Sequence, residues 1–209
     1  MTWQWIGDQG IQWSPPDLSP DQFLGISRNV LRACEANPIP WVREVVPGFT
    51  SVVFLFSLDY RPHAQTMAEI QAWVASVEII QAVDDVPIKY IPVVYNGPDL
   101  AEVAQQTHLS VDEVIRLHGE PIYKVHFLGF LPGFPYLGGM NSRLACPRRS
   151  SPRREVPAGS VGIGGEQTGI YPGVSPGGWN IIGHTEVRLF DKVHGAYFSV
   201  GDWVKFVAI

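Results

Sequence analysis

The sequence predicts two domains of different class, an α+β N-terminal part and a mainly β barrel after it. The segment 129–183 carries 13 of the 21 glycines and 7 of the 18 prolines, yet it keeps inserting strand formers such as Val161, Ile163, Ile170, Ile181 and Ile182. Glycine supplies backbone conformations other residues avoid, and proline fixes φ while removing a donor, so the mixture demands short strands joined by tightly specified turns. Upstream of it, strand-type runs alternate with segments of helical period. A chain of 209 residues admits one large core or two small ones, and the turn cluster Asn96-Gly97-Pro98-Asp99-Leu100 offers the natural break.

Composition bounds the function. The chain is 45% hydrophobic and 17% charged, which is the balance of a folded protein. A net charge of −5 argues against indiscriminate nucleic-acid binding, which rests on many Lys and Arg contacts to phosphate. The N-terminal run MTWQWIGDQGIQW has neither a basic start nor a long apolar stretch, and the apolar run 52–56 is too short to span a bilayer. A cytoplasmic protein with no membrane association is expected, and its two cysteines, Cys34 and Cys146, should then be reduced. Cys34 falls in a helical apolar pattern and reads as core. Cys146 lies near several arginines, which leaves a reactive thiol open as well as a small buried hydrophobe.

In chain order, 2–6 and 10–13 read as two short strands around a Gly7-Asp8 turn. A helix follows, with Ser19 as N-cap, Pro20 as first residue and Gln22 closing a capping box; Phe23, Leu24, Ser27, Val30, Leu31 and Cys34 trace one face, and Asn37-Pro38 stops it. The continuous FTSVVFLFSL run is a central strand. A second helix is expected over 63–81, with Met67, Ile70, Val74 and Val77 on one stripe, and the strand IPVVY closes this half. For this α+β part, a ferredoxin-like, split βαβ arrangement is one candidate. Leu100, Val103 and Ala104 then face inward from a short helix. The next helix has a capping box of Ser110 and Glu113, staple positions Leu109 and Val114, and a stop at His118-Gly119. Strands are expected over 122–130 and near 156–164, 167–171, 179–184, 186–191, 196–199 and 203–208, a pattern that suits a closed or nearly closed barrel.

Few residues advertise chemistry. His118-Gly119-Glu120 has the form H-x-E but lacks the P-C-x-x-C that would complete a zinc site, and the other histidines show no paired spacing, so no metal is expected. Neither a G-x-S-x-G elbow nor a P-loop is present, which leaves no evident nucleophile and no ATP cradle. Arg143, Arg148, Arg149, Arg153 and Arg154 place five of the 15 basic residues within twelve positions. Such a cluster suits a carboxylate, a phosphate or an acidic partner, and it also suits a solvated loop. Gln167, Thr168 and Tyr171, with the glycine-rich turn at 175–179, could form a small polar pocket walled by Phe130, Phe134 and Trp179; plugs within a barrel are the other reading of Tyr171 and Trp179.

The motifs GFLPGFPYL, PRR, PR, VPAGSV, QTGIYP and SPGGW, in this order, resemble the family of the bacterial 5-oxoprolinase B subunit, which also includes the sporulation-kinase inhibitor KipI and proteins long labelled allophanate hydrolase subunit 1. The resemblance runs from about Ile91 to the end and more loosely over the first 90 residues, and the domains are placed at 1–90 and 91–209. It implies a cyclophilin-like barrel in the second domain. It also implies a non-autonomous B subunit of an ATP-dependent 5-oxoprolinase, working with partner C and A subunits. The B–C pair would be similar to the carboxyltransferase part of urea carboxylase, with no cofactor bound by this chain alone and ATP used by the complex. The PRR and PR motifs favour Arg148, Arg149 and Arg153 as contacts to substrate or partner. His184 stands where many relatives carry Arg, and histidine is only partly charged near neutral pH. The alternative is a KipI-like protein whose groove of Phe130, Pro132, Phe134 and Trp179 holds a helix of a sensor histidine kinase. Prolyl isomerase activity is a weaker reading, since a fold alone does not confer function.

Overall fold

A computed structural model describes residues 2–78 and 86–209. The chain divides into two compact units, Met1–Asp84 and Asp85–Ile209.

In the first unit, β1 (Thr2–Ile6) and β2 (Gly10–Ser14) form an antiparallel hairpin. α1 (Pro20–Ala36) begins as its sequence requires: the Ser19 hydroxyl accepts from the Gln22 N–H at 3.3 Å, and the Gln22 side chain accepts from the Ser19 N–H at 2.9 Å. β3 (Val42–Pro47) and β4 (Val52–Phe56) follow, then α2 (Thr66–Ser76). The sheet is antiparallel throughout, in the order β1-β2-β4-β3. Ile11, Trp13, Phe23, Val30, Val52, Phe54, Phe56 and Ile70 form its core.

Three sequence expectations change here. α2 starts at Thr66 because the Thr66 hydroxyl holds the preceding turn, accepting from the His63 N–H at 2.9 Å and meeting the Tyr60 hydroxyl at 2.8 Å. It ends at Ser76, and positions 79–81 of the expected helix lie outside the described residues. β3 was not anticipated, since Arg43 and Glu44 interrupt its apolar pattern where its register shifts against β4. The element order ββαββα, with a 1-2-4-3 sheet, differs from the βαββαβ order of a ferredoxin-like domain.

The strand expected to close that half, β5 (Lys89–Val93), belongs instead to the second unit. There it is followed by α3 (Leu100–Thr107), α4 (Val111–Gly119), β6 (Tyr123–Leu128), β7 (Pro135–Gly138), a 3-10 turn at Ser142–Leu144, β8 (Arg153–Val156), β9 (Ser160–Gly164) and β10 (Gln167–Ile170). β11 (Ser175–Gly177), β12 (Asn180–His184), the short pair β13 (Phe190–Asp191) and β14 (Gly195–Ala196), and β15 (Trp203–Ala208) complete the chain. Seven strands make one sheet in the order β12-β9-β10-β7-β6-β15-β5. β5 runs parallel to β15, with Lys89 opposite Val204 and Val93 opposite Ala208. The two ends of the sheet meet: Val94 and His184 exchange both backbone hydrogen bonds at 2.9 Å, and the N–H groups of Gly97 and Asp99 continue the seam to the carbonyls of Ile182 and Ile181. The result is a nearly closed barrel. β7 and β11 were not expected as strands, and the runs expected at 186–191 and 196–199 shrink to the two-residue strands β13 and β14.

One face of each strand fills the interior, including Ile91, Val93, Tyr123, Val125, Leu137, Val161, Ile163, Ile170, Ile182, Val204 and Phe206. Leu100, Val103, Ala104, Val114 and Leu117 join the same core from α3 and α4, which pack on β12 and β15. The Ser110–Glu113 capping box of α4 is formed in both directions. A second cluster of Phe134, Val156, Tyr171, Trp179 and Ile181 lies outside that core; Ile181 and Ile182 face opposite ways from β12, as strand alternation requires. Among the described residues, no helix is long and apolar enough to cross a membrane.

Candidate functional site

The site is built on this second cluster. After β6 the chain turns through 129–134, held by the Leu131 N–H to Gly129 carbonyl bond at 2.8 Å and the Phe134 N–H to Leu131 carbonyl bond at 3.0 Å. Phe130 sits in this turn with φ of +68°, a conformation an aromatic residue rarely adopts, and it remains 58% exposed. Its ring meets Phe134 and Tyr171 edge to face at 5.6 and 6.2 Å. Phe134 is buried at the centre, with Tyr136, Tyr171 and Trp179 at 5.0, 5.1 and 5.4 Å between ring centroids. Two glycines permit this packing. A Cβ on Gly164 would lie 2.7 Å from three indole atoms of Trp179, and one on Gly177 would run into the Tyr171 hydroxyl.

The arginine segment closes over these rings. β8 pairs with β11, and the Arg149 N–H bonds to the Gly178 carbonyl at 2.8 Å. The result is a pocket of about 200 Å³ whose walls include Phe130, Phe134, Tyr136, Arg148, Arg149, Pro152, Tyr171 and Trp179, with the bare backbone of Gly177 and Gly178 at one side.

The five arginines divide sharply. Arg153 makes a bidentate pair with the buried Asp99 at 2.6 and 2.8 Å. Arg149 reaches the same carboxylate at 2.8 Å and Glu102 at 3.3 Å. Asp99 also accepts the Ile181 N–H at 2.7 Å, so this carboxylate ties the arginine segment to the barrel seam. Arg143 lies 3.7 Å from Glu113. Arg154 leaves β8 on the face opposite Arg153. Arg148 alone lines the pocket without a carboxylate partner among the described residues, its guanidinium 5.8 Å from the Trp179 ring centroid. The Tyr136 and Tyr171 hydroxyls stay protonated, because burial pushes both above their ordinary range by more than the nearby Arg148 charge lowers them. Among the described residues neither phenol finds an acceptor for its own proton.

The structure thus gathers Phe130, Phe134, Arg148, Arg149, Tyr171 and Trp179 around one pocket and places the other expected residues elsewhere. Pro132 is in the 129–134 turn, away from the pocket lining. Arg153 is turned to Asp99. Gln167 opens β10 opposite Gly164, with its amide nitrogen buried and unpartnered among the described residues. Thr168 is inside the barrel, bonded to His118 Nε2 at 2.9 Å and donating to the Gly162 carbonyl at 3.0 Å. His184 sits on the barrel seam with Glu186 at 3.0 Å. Tyr136 and Asp99 were missed. Strand alternation from Phe134 could have found Tyr136, but nothing near Asp99 in sequence marks its distant arginine partners.

Cys146 is no nucleophile: it is 3% exposed, Asn180 donates to its Sγ at 3.4 Å, and burial pushes its thiol up to about 11. None of the residues lining the pocket is a carboxylate, imidazole or thiol, so the pocket is equipped to hold an anion and not to attack one. A larger pocket of about 460 Å³ in the first unit, between α1 and α2, has no charged side chain in its lining.

The family model for the carboxyltransferase domain, subdomain C and D, matches residues 1–198. The chain is 41% identical to the 5-oxoprolinase B subunit of Bacillus subtilis (strain 168), over 98% of this chain and 91% of that protein. It is 40% identical to the 5-oxoprolinase B subunit of Escherichia coli O157:H7, over 91% of this chain and 89% of that one. Among solved structures it is similar to TTHA0988, with a TM-score of 0.83 and 31% identity over 96% of this chain; it spans 40% of that longer chain. With family model, identity and fold in agreement, the chain belongs to the 5-oxoprolinase B-subunit family of carboxyltransferase C and D domain proteins.

Proposed function

We propose that this chain is the B subunit of an ATP-dependent 5-oxoprolinase that opens the lactam of 5-oxo-L-proline to give L-glutamate, acting with the A and C subunits. The observation that carries this reading is the 41% identity across nearly the whole of a relative named for that role. The site agrees with a non-autonomous part: it offers a positive group and phenolic donors but no base or nucleophile in its lining, so the bond-breaking groups come from elsewhere in the complex. The length of TTHA0988 supports the same view, since this fold there occupies 40% of one longer polypeptide. ATP is used by the complex, and no cofactor is bound by this chain alone. The barrel is read as cyclophilin-like and the location as cytoplasmic.

The kinase-inhibitor alternative is less favoured, because its support is limited to the exposed apolar rim at Phe130. Mixing the purified chain with its A and C partners is expected to give ATP-dependent glutamate release. Equal release by A and C alone would overturn the assignment.

A further inference from the structure

Charge bookkeeping around the pocket narrows what it can hold. Arg149 and Arg153 are matched by the carboxylates of Asp99 and Glu102, two against two, which leaves Arg148, among the described residues, as the single uncompensated charge facing the cavity. Two phenol-bearing residues, Tyr136 and Tyr171, line the same cavity, and neither hydroxyl has an acceptor among the described residues. A cavity of about 200 Å³ suits a compact molecule. Its remaining walls are flat: the Trp179 and Phe134 rings cross at 85° with 5.4 Å between centroids.

Resting on the reading proposed above, we infer that this pocket takes a small monoanionic carboxylate on a flat ring, the substrate itself and not a phosphorylated species. Arg148 carries the carboxylate, Tyr136 and Tyr171 donate to it, and the ring lies against the aromatic wall that Phe130 and Trp179 contribute. A phosphorylated lactam with its own carboxylate would bring about one and a half to two additional negative charges to a site with one free cation among the described residues, and desolvating unmatched charge is costly.

The test is calorimetric titration of the full chain with 5-oxo-L-proline, 2-pyrrolidone and inorganic phosphate, followed by the KM for 5-oxo-L-proline in the complete reconstituted complex. Binding of 5-oxo-L-proline is expected to weaken roughly 10- to 100-fold in Arg148→Gln and several-fold in Tyr171→Phe, the range for losing charged and neutral hydrogen bonds. Arg154→Gln, on the opposite face of β8, should bind as the unchanged chain does. Pyrrolidone, which lacks the carboxylate, should bind at least tenfold more weakly, and phosphate should not displace 5-oxo-L-proline. In the complex, Arg148→Gln should raise the KM for 5-oxo-L-proline at least tenfold and leave that for ATP unchanged. Equal binding by Arg148→Gln, displacement by phosphate, or an unaltered KM in the complex overturns the inference. Glutamate release that does not need this chain at all defeats the proposed role in 5-oxoprolinase instead, which separates the two failures.

Discussion

The barrel interior and the pocket outside it both set polar groups among aromatic rings, and they treat them in opposite ways. Inside, each link of one polar chain is answered. The Tyr95 hydroxyl meets His118 Nδ1 at 2.8 Å, His118 Nε2 meets Thr168 at 2.9 Å, Thr168 donates to the Gly162 carbonyl, and Tyr123 donates to the His118 carbonyl at 2.7 Å. His118 stacks on Phe206 at 4.5 Å, and its burial drops the ring to about 3, so it stays neutral. In the pocket, one guanidinium and two phenols are left without acceptors among the described residues. A fully satisfied buried network specifies a fold, whereas converging unsatisfied donors specify a ligand.

The comparison can be broken first at Asp99, which belongs to the satisfied class although it borders the pocket. Asp99→Ala strands two partly buried guanidiniums and the Ile181 N–H, and it should destabilise the second unit by about 3 kcal/mol, read by chemical denaturation. A loss below about 1 kcal/mol would mean that the arginines are not held by this carboxylate.

The interior is sharpened by acid. The folded His118 ring binds a proton less tightly than the unfolded chain does, so the unfolded state takes up more protons between about pH 6.5 and 3. Stability is therefore full well above pH 6.5 and falls as pH drops, by at most about 1.4 kcal/mol per unit, or about 1.6 kcal/mol between pH 6.5 and 5. The difference in unfolding free energy between those two pH values should shrink in His118→Gln. A slope unchanged by that substitution would contradict the burial of a neutral ring.

Gly164→Ala probes the wall between the two regions. The added methyl meets the Trp179 indole at 2.7 Å, so the ring must move into the pocket at a cost of about 1 to 2 kcal/mol, with a shift in the environment of Trp179 visible by NMR. An unmoved indole would show that the floor is looser than drawn.

How much of this could be read beforehand depended on whether the signal was local. The capping boxes at Ser19 and Ser110, and the glycine-rich run that becomes β9 to β12, carry their own turn chemistry and were legible. β5 was assigned to the wrong half because its partner, β15, begins more than one hundred residues later, and no local pattern records that pairing. β3 was hidden by Arg43 and Glu44 at an edge. The aromatic walls were recognisable from Phe130, Phe134, Tyr171 and Trp179, yet Arg148, Arg149 and Arg153 look alike in sequence. Only Asp99, fifty residues upstream of Arg149, separates the two that it holds from the one that it leaves free.

The most direct test uses Arg148→Gln with and without 5-oxo-L-proline, measuring unfolding free energy in both states. If Arg148 is reserved for a ligand, the substitution changes the stability of the empty chain by no more than about 0.5 kcal/mol and abolishes the stabilisation that the carboxylate gives the unchanged chain. A loss above about 1 kcal/mol without ligand, or an undiminished stabilisation with it, would place Arg148 among the structural arginines and contradict the account.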